Sequence, residues 1–288
     1  RTFNLNIKTS LKIMQFFLYK IEANPDDPIY AHFELVPDHL PDALKEGISK
    51  FPPGALQFEI GIQSFNPDVQ ALVSRKQDNQ KAADNIRWLC EESNAHLHVD
   101  LIAGLPGEDE ASFAVGFNKL VALKPHEIQF GILKRLRGTP IIRHTENFGM
   151  VFDPHPPYTI LANKQLDFMS MQRLVRFARY WDLVANSGRF ANTVQWMLGE
   201  SPFENFMDFS NWLYAHTDAT HRIAMERLAK LVAQWLQTRG MSTVEANALV
   251  ASDYAGGAQA AAHAKPAETS KVRPDVALPQ RQARHLAS

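Results

Sequence analysis

Between Ile29 and Leu133 the chain repeats one unit: a short apolar run, a turn, then a longer stretch with helical spacing. Strands are expected at Ile29 to Val36, Leu56 to Ile62, Leu97 to Ala103 and His126 to Leu133. Helices are expected at Thr9 to Ile21, from Pro37-Asp38 to Lys50, Asn79 to Ser93 and Asp109 to Leu123, with a short one capped by Asn66-Pro67-Asp68. Strands alternating with helices of this length dictate a parallel sheet with right-handed crossovers. The strands are mostly apolar, as when both faces of the sheet are covered. The fold class is therefore α/β, a partial TIM-like (β/α) barrel over residues 1–150.

The character changes after Pro140. Asp153-Pro-His-Pro-Pro157 reads as a stiff extended linker. Asp167 to Ala185, Phe203 to His216 and Thr220 to Thr238 are amphipathic, with no strand pattern between them, so residues 151–255 are expected to form an α-helical domain. From about Gly256 to residue 288 large apolar residues are scarce, and this tail is expected to stay disordered.

Composition narrows the function. The net charge of −1 gives no electrostatic case for nucleic acid or an anionic membrane. One cysteine, Cys90, rules out an internal disulfide framework and fits a reducing, cytoplasmic setting. It also cannot supply the several thiolates that an iron–sulfur cluster or a cysteine zinc site needs. No run is long enough to span a membrane. The start at Arg1 has neither a methionine nor the features of a signal peptide, and is read as the edge of a fragment.

Glu34, Gln63 and Asp100 fall at or near the carboxyl ends of three successive strands, which in a parallel sheet share one rim. Arg75 follows Gln63 on or beside the next helix and can reach back over it. Two carboxylates, an amide and a guanidinium suit a zwitterionic ligand that also carries hydroxyl groups. Taken singly, each reads more readily as a helix cap or surface ion pair, and only their joint placement favours a site. Gly104-Leu-Pro-Gly107 lets a ligand approach backbone N–H groups, or is a type II turn with no ligand. His96 and His98 share a strand face, but no third ligand is evident and no metal site is expected. Cys90 reads as a small core residue. Lys134, Arg135, Arg137 and Arg143 form a basic cluster that is either solvated surface or a contact for an anionic substrate.

Several pieces, in order, resemble the radical S-adenosylmethionine superfamily, in the branch whose full-length members carry a cobalamin-binding domain. Arg1-Thr-Phe-Asn4 is similar to the segment after the second barrel strand, and Phe33-Glu-Leu-Val36 to the third strand. Glu59-Ile-Gly-Ile-Gln-Ser64 with Arg75 resembles the fourth strand and its helix. Val99-Asp-Leu-Ile-Ala-Gly-Leu-Pro-Gly-Glu108 resembles the fifth, and Ile128 to Leu133 with Gly138-Thr139 the sixth. Coproporphyrinogen dehydrogenases share much of this pattern. Pro156 to Leu161 and Asn186 to Phe190 are similar to an uncharacterised helical domain that follows the barrel in one cobalamin-type group.

The resemblance implies that Glu34 receives the methionyl ammonium of S-adenosylmethionine. Gln63 and Arg75 hold its carboxylate and ribose, and Asp100 the ribose hydroxyls. Gly104 and Leu105, with backbone near Leu133, flank the adenine, and Ser64 completes the set. In the whole enzyme a 4Fe-4S cluster on three cysteines cleaves the cofactor to a 5′-deoxyadenosyl radical, which abstracts hydrogen from a small-molecule substrate. The cysteine loop and cobalamin domain are expected only in the full-length protein, so these 288 residues alone should not perform radical chemistry. Read from pattern alone, two other functions stay open: a non-catalytic interaction module, and a phosphate-binding α/β barrel enzyme using the Gly104–Gly107 turn. The sheet edge left by the missing strands is a liability for association.

Overall fold

The computed structural model describes residues 2–25 and 29–263, with side chains as far as Tyr254. A 3-10 turn, Phe3–Leu5, leads into α1 (Ile7–Ala23), whose first turn is capped by the Asn6 side chain. There follow β1 (Ala31–Leu35), α2 (Asp42–Ile48), β2 (Leu56–Gln63), α3 (Pro67–Leu72), α4 (Asn79–Glu92), β3 (His96–Ala103), α5 (Glu110–Ala122) and β4 (Glu127–Ile132). Asn66, Asp78 and Asp109 cap α3, α4 and α5, each accepting from N–H groups of the first turn. The four strands form one parallel sheet in chain order, β1-β2-β3-β4.

Beyond a 3-10 turn at Pro140–His144 come β5 (Val151–Phe152) and β6 (Ile160–Ala162), then α6 (Phe168–Val184), α7 (Ala191–Leu198), α8 (Pro202–Thr217), α9 (Met225–Thr238) and α10 (Thr243–His263). α6 packs on β4, and α8 on α5 and α6. Phe177 of α6 lies at the centre of this joint, fully buried. Its ring meets Phe117 at 5.2 Å, Phe130 of β4 at 5.0 Å, Phe203 at 5.1 Å and Phe206 at 4.9 Å.

The sheet has two unlike faces. Phe58, Ile60, Ile62, Leu97, Val99 and Leu101 are buried with the helices' apolar residues. The alternate positions carry Gln57, Glu59, His96, His98, Asp100, Glu127 and Gln129. The expectation of strands apolar on both faces is corrected: period-two alternation places the polar set on the inner surface of the half-barrel.

Both edges of the sheet are met by an asparagine. At β1, the Val36 N–H donates to Asn4 Oδ1 at 2.9 Å and Asn4 Nδ2 donates to the Val36 carbonyl at 2.8 Å. At β4, the Ile128 N–H donates to Asn186 Oδ1 at 3.1 Å and Asn186 Nδ2 to the Ile128 carbonyl at 2.9 Å. Each carboxamide stands in for the next strand at one residue, which blunts the edge where it would recruit another chain.

Other expectations are also corrected. The helix anticipated from Pro37-Asp38 starts at Asp42, because Pro41 is its N-cap and Leu40, preceding a proline, is steered from the helical region. The helix anticipated from Thr220 starts at Met225. The proline segment 153–157 is the tip joining β5 to β6, which pair antiparallel, so it links two strands of a ribbon rather than two domains. α7 was not anticipated. α10 continues through residues 256–263, part of the expected disordered tail; residues 264–288 lie outside those described. The buried Asp253 carboxylate accepts from the Asn192 and Thr193 N–H groups, tying α10 to the start of α7.

Candidate ligand-binding site

The site begins with an irregularity in β2. The pairing of β2 with β3 shifts between Gly61 and Gln63, and Gln63 has φ +68°. A non-glycine residue there is strained, and such strain is retained where surrounding contacts fix it. A Cβ on Gly61 would lie 2.7 Å from Gln63 Nε2, so glycine lets the amide fold over the strand end. Arg75, just past α3, reaches back: Nη2 donates to the Gly61 carbonyl and Nε to Gln77 Oε1 at 2.9 Å. Burial lowers the guanidinium's pKa against an opposing pull from Asp38, yet an arginine stays charged.

Glu34, Gln63, Arg75 and Asp100 line one cleft of about 270 Å³ together with Glu59 and Gly61. The structure thus brings four of the sequence-predicted residues to one rim. Asp100 is its most perturbed member. Burial first, then the charges of Glu59 and Glu34, push its pKa up to about 6, against an opposing pull from His98. Its Oδ1 is buried with no hydrogen-bond partner among the described residues. A second cavity of about 290 Å³ shares Gln63 and Arg75 with the first, and is lined by Leu105, Leu133, Ile141, Arg143 and His144. Leu105 and Leu133 therefore sit beside the cleft rather than in it.

Two predicted residues fall elsewhere. Ser64 is buried and donates to Glu108 Oε1, because the turn at Gln63 swings the following side chain under the sheet end. Gly104 has φ +89° and its Cβ position would lie 2.6 Å from Ile160 of β6 and 3.4 Å from Met171 of α6, so these side chains pack against it. Beside Gly107 stand Leu72 and Phe148. The Gly104–Gly107 turn is thus packed with side chains at both glycines.

Glu59 was missed as a site residue. It lies four positions before Gln63 on the same strand face, and that period-two spacing was the available signal. Glu127 was missed as well. Register puts it beside His98, with the imidazole Nε2 3.4 Å from Glu127 Oε1 and that of His96 3.6 Å away. The third potential ligand not evident in the sequence comes from the neighbouring strand. Cys90 sits half-buried on α4, its thiol pushed up to about 12 by burial and Glu91.

The chain is 30% identical over 98 residues to the oxygen-independent coproporphyrinogen III oxidase of Paracoccus denitrificans, covering 33% of this chain and 21% of that protein. It is 30% identical over 103 residues to the anaerobilin synthase of Escherichia coli O157:H7, covering 36% and 23%. The coproporphyrinogen III oxidase of Escherichia coli has been described from its structure as a radical S-adenosylmethionine enzyme. The chain is similar to radical S-adenosylmethionine enzymes.

It spans about a fifth of the length of these curated relatives. The Escherichia coli oxidase structure overlays with a TM-score of 0.41 at 21% identity, covering 60% of this chain and 37% of that one. A radical S-adenosylmethionine methyltransferase, TsrM, from Kitasatospora setae, solved with tryptophan and a cofactor analogue, overlays with a TM-score of 0.45 at 17% identity, covering 59% and 33%. Residues 146–275 match a family described as "Protein of unknown function (DUF4080)". No helix among the described residues is long and apolar enough to cross a membrane.

Proposed function

We propose that the chain is the carboxy-terminal part of a radical S-adenosylmethionine enzyme of the cobalamin-associated kind, and that the cleft at the strand ends holds the cofactor. The observation that carries this reading is the orphaned Asp100 oxygen in the same cleft as Arg75 and the strained Gln63. A buried carboxylate oxygen without a donor is a place for a ligand hydroxyl. A guanidinium across the cleft suits a ligand carboxylate, and Glu34 and Glu59 suit an ammonium or sulfonium. Asp100 would take the ribose, Arg75 and Gln63 the carboxylate, and Glu34 the ammonium. The second cavity, walled by Leu105 and Leu133, would take the base.

Bound there, the cofactor supplies the radical chemistry that such enzymes perform; these residues hold and orient it. The chain's one cysteine cannot provide a three-thiolate cluster site, and no residue here is assigned to cobalamin. The substrate is proposed only as a small molecule, the setting as cytoplasmic, and the division between barrel and helical portion near residue 150. The phosphate-binding alternative has less support, since Ile160, Leu72 and Phe148 fill the space beside its glycines.

Titration of S-adenosylmethionine into the intact chain and into Arg75→Ala tests the reading. Loss of a charge-assisted carboxylate contact is worth about 1.5–3 kcal/mol, so Kd should rise by roughly ten- to 150-fold. Decarboxylated S-adenosylmethionine, lacking the group that Arg75 would hold, should not distinguish the two proteins. Binding should also weaken as pH falls through about 6, where Asp100 takes up a proton and ceases to be a full acceptor. Equal affinity of the intact chain and Arg75→Ala for the complete cofactor would sink the assignment.

A further inference from the structure

The inner face of the sheet carries a second polar constellation, below the cleft. β3 places His96 and His98 on that face, and Asp100 follows two residues nearer the strand end. Parallel register sets His98 directly beside Glu127 of β4 and beside Glu59 of β2. One potential ligand atom from each of His96, His98 and Glu127 lies within 4.8 Å of the others. Their side chains are 6%, 14% and 3% exposed.

We propose that His96, His98 and Glu127 form a binding site for a first-row divalent metal ion, with zinc the best match to the donor set. Two imidazoles and one carboxylate are a zinc-type ligand set, and three protein ligands leave a fourth position for water. Bond lengths of about 2.0–2.1 Å in a tetrahedral site put neighbouring donors roughly 3.3 Å apart. The two imidazole–carboxylate separations of 3.4 and 3.6 Å approach this already. Charge agrees too, since the sheet row through His98 runs Glu34, Glu59, His98, Glu127. A cation at that level meets carboxylates on both sides of the imidazole.

The rings are held in place by their surroundings. His96 is flanked by His98 and by His126, with ring centroids 5.1 and 4.5 Å away. His126 Nδ1 is itself fixed by the Leu97 N–H at 3.1 Å. His98 Nδ1 lies 2.9 Å from Gln129 Nε2 and 3.1 Å from Gln57 Nε2, which turns Nε2 toward Glu127. With a metal on Nε2, Nδ1 carries the proton, and half-turns of the Gln129 and Gln57 carboxamides present oxygen to it, the turned Gln57 amide donating to the Tyr30 hydroxyl instead. His98, at 14% exposure, is the side from which an ion enters.

Cobalt(II) alone, titrated into the purified full chain, is the probe, because its ligand-field absorption reports a tetrahedral nitrogen–oxygen site. One equivalent should bind with that spectrum, and zinc should displace it while magnesium should not. Glu127→Gln and His98→Ala should each weaken binding at least tenfold, and Gln129→Ala should weaken it roughly ten- to 100-fold. Cys90→Ser and His144→Ala should leave it unchanged. Far-UV circular dichroism monitors folding, and the near-isosteric Glu127→Gln keeps the test sharp should His98→Ala unfold. Absence of stoichiometric cobalt binding overturns the proposal, as does equal binding by the folded Glu127→Gln protein.

Discussion

Truncating Phe177 to alanine is expected to destabilise the protein by about 3–5 kcal/mol, the usual cost of removing a buried aromatic side chain. The ring is fully buried and touches α5 through Phe117, β4 through Phe130 and α8 through Phe203 and Phe206. No single neighbour can close the hole without leaving another contact, so the cavity persists and the cost stays high. Phe168, one helix start away and 51% exposed, is the control, and its alanine variant should shift stability by no more than about 0.5 kcal/mol. Urea unfolding of both variants beside the parent reads the difference. Phe117→Ala combined with Phe177→Ala should cost less than the two separately, because the rings share one hole. A loss below about 1 kcal/mol for Phe177→Ala would show that the joint between sheet and helices repacks freely, contrary to the ring geometry.

The parts legible in the sequence were those with local causes. Asn66, Asp78 and Asp109 cap the helices they precede, and four strands follow from apolar runs ended by turns. Three of the cleft residues were reachable because parallel strands end on one rim whatever their register. Register itself is a long-range property, and the reading failed where register mattered. Glu127 meets His98 only because of which residues of β3 and β4 pair, and nothing local to either strand announces it. Ser64 was misplaced for the converse reason, a shift in pairing at Gly61–Gln63 that alternation does not foresee. β5 and β6, at two and three residues, are too short to show a period. α10 is rich in alanine and glycine and weakly amphipathic. It is held by Ala246 and Val250, which are buried in the core, and by Asp253, which accepts from the start of α7.

Glu108 should make stability depend on pH more steeply than any surface carboxylate here. Ser64 donates to its Oε1, while Oε2 is buried with no hydrogen-bond partner among the described residues. Burial therefore dominates, and the carboxyl's pKa rises from 4.5 to about 7 in spite of the Ser64 hydrogen bond. The sign follows from proton counting. Between pH 4.5 and 7 the folded chain keeps a proton that the unfolded chain has released, so folding weakens as pH rises through that window and levels off above it. The loss amounts to about 3 kcal/mol when fully developed. Glu108→Gln keeps an acceptor for Ser64 and cannot ionise, so its stability relative to the parent should climb by that amount between pH 4.5 and 7.5. Comparing the two proteins cancels every other titrating group, including Asp100, and urea midpoints at three pH values suffice. A difference that stays flat across the window would mean the carboxyl reaches water. The effect matters at the cleft as well, because Ser64 accepts from the Asn66 N–H and its carbonyl accepts from Gln70. Ionised Glu108 is a buried charge beside the turn that carries Gln63, so a fall in cofactor affinity above pH 7 is expected in the parent and not in Glu108→Gln.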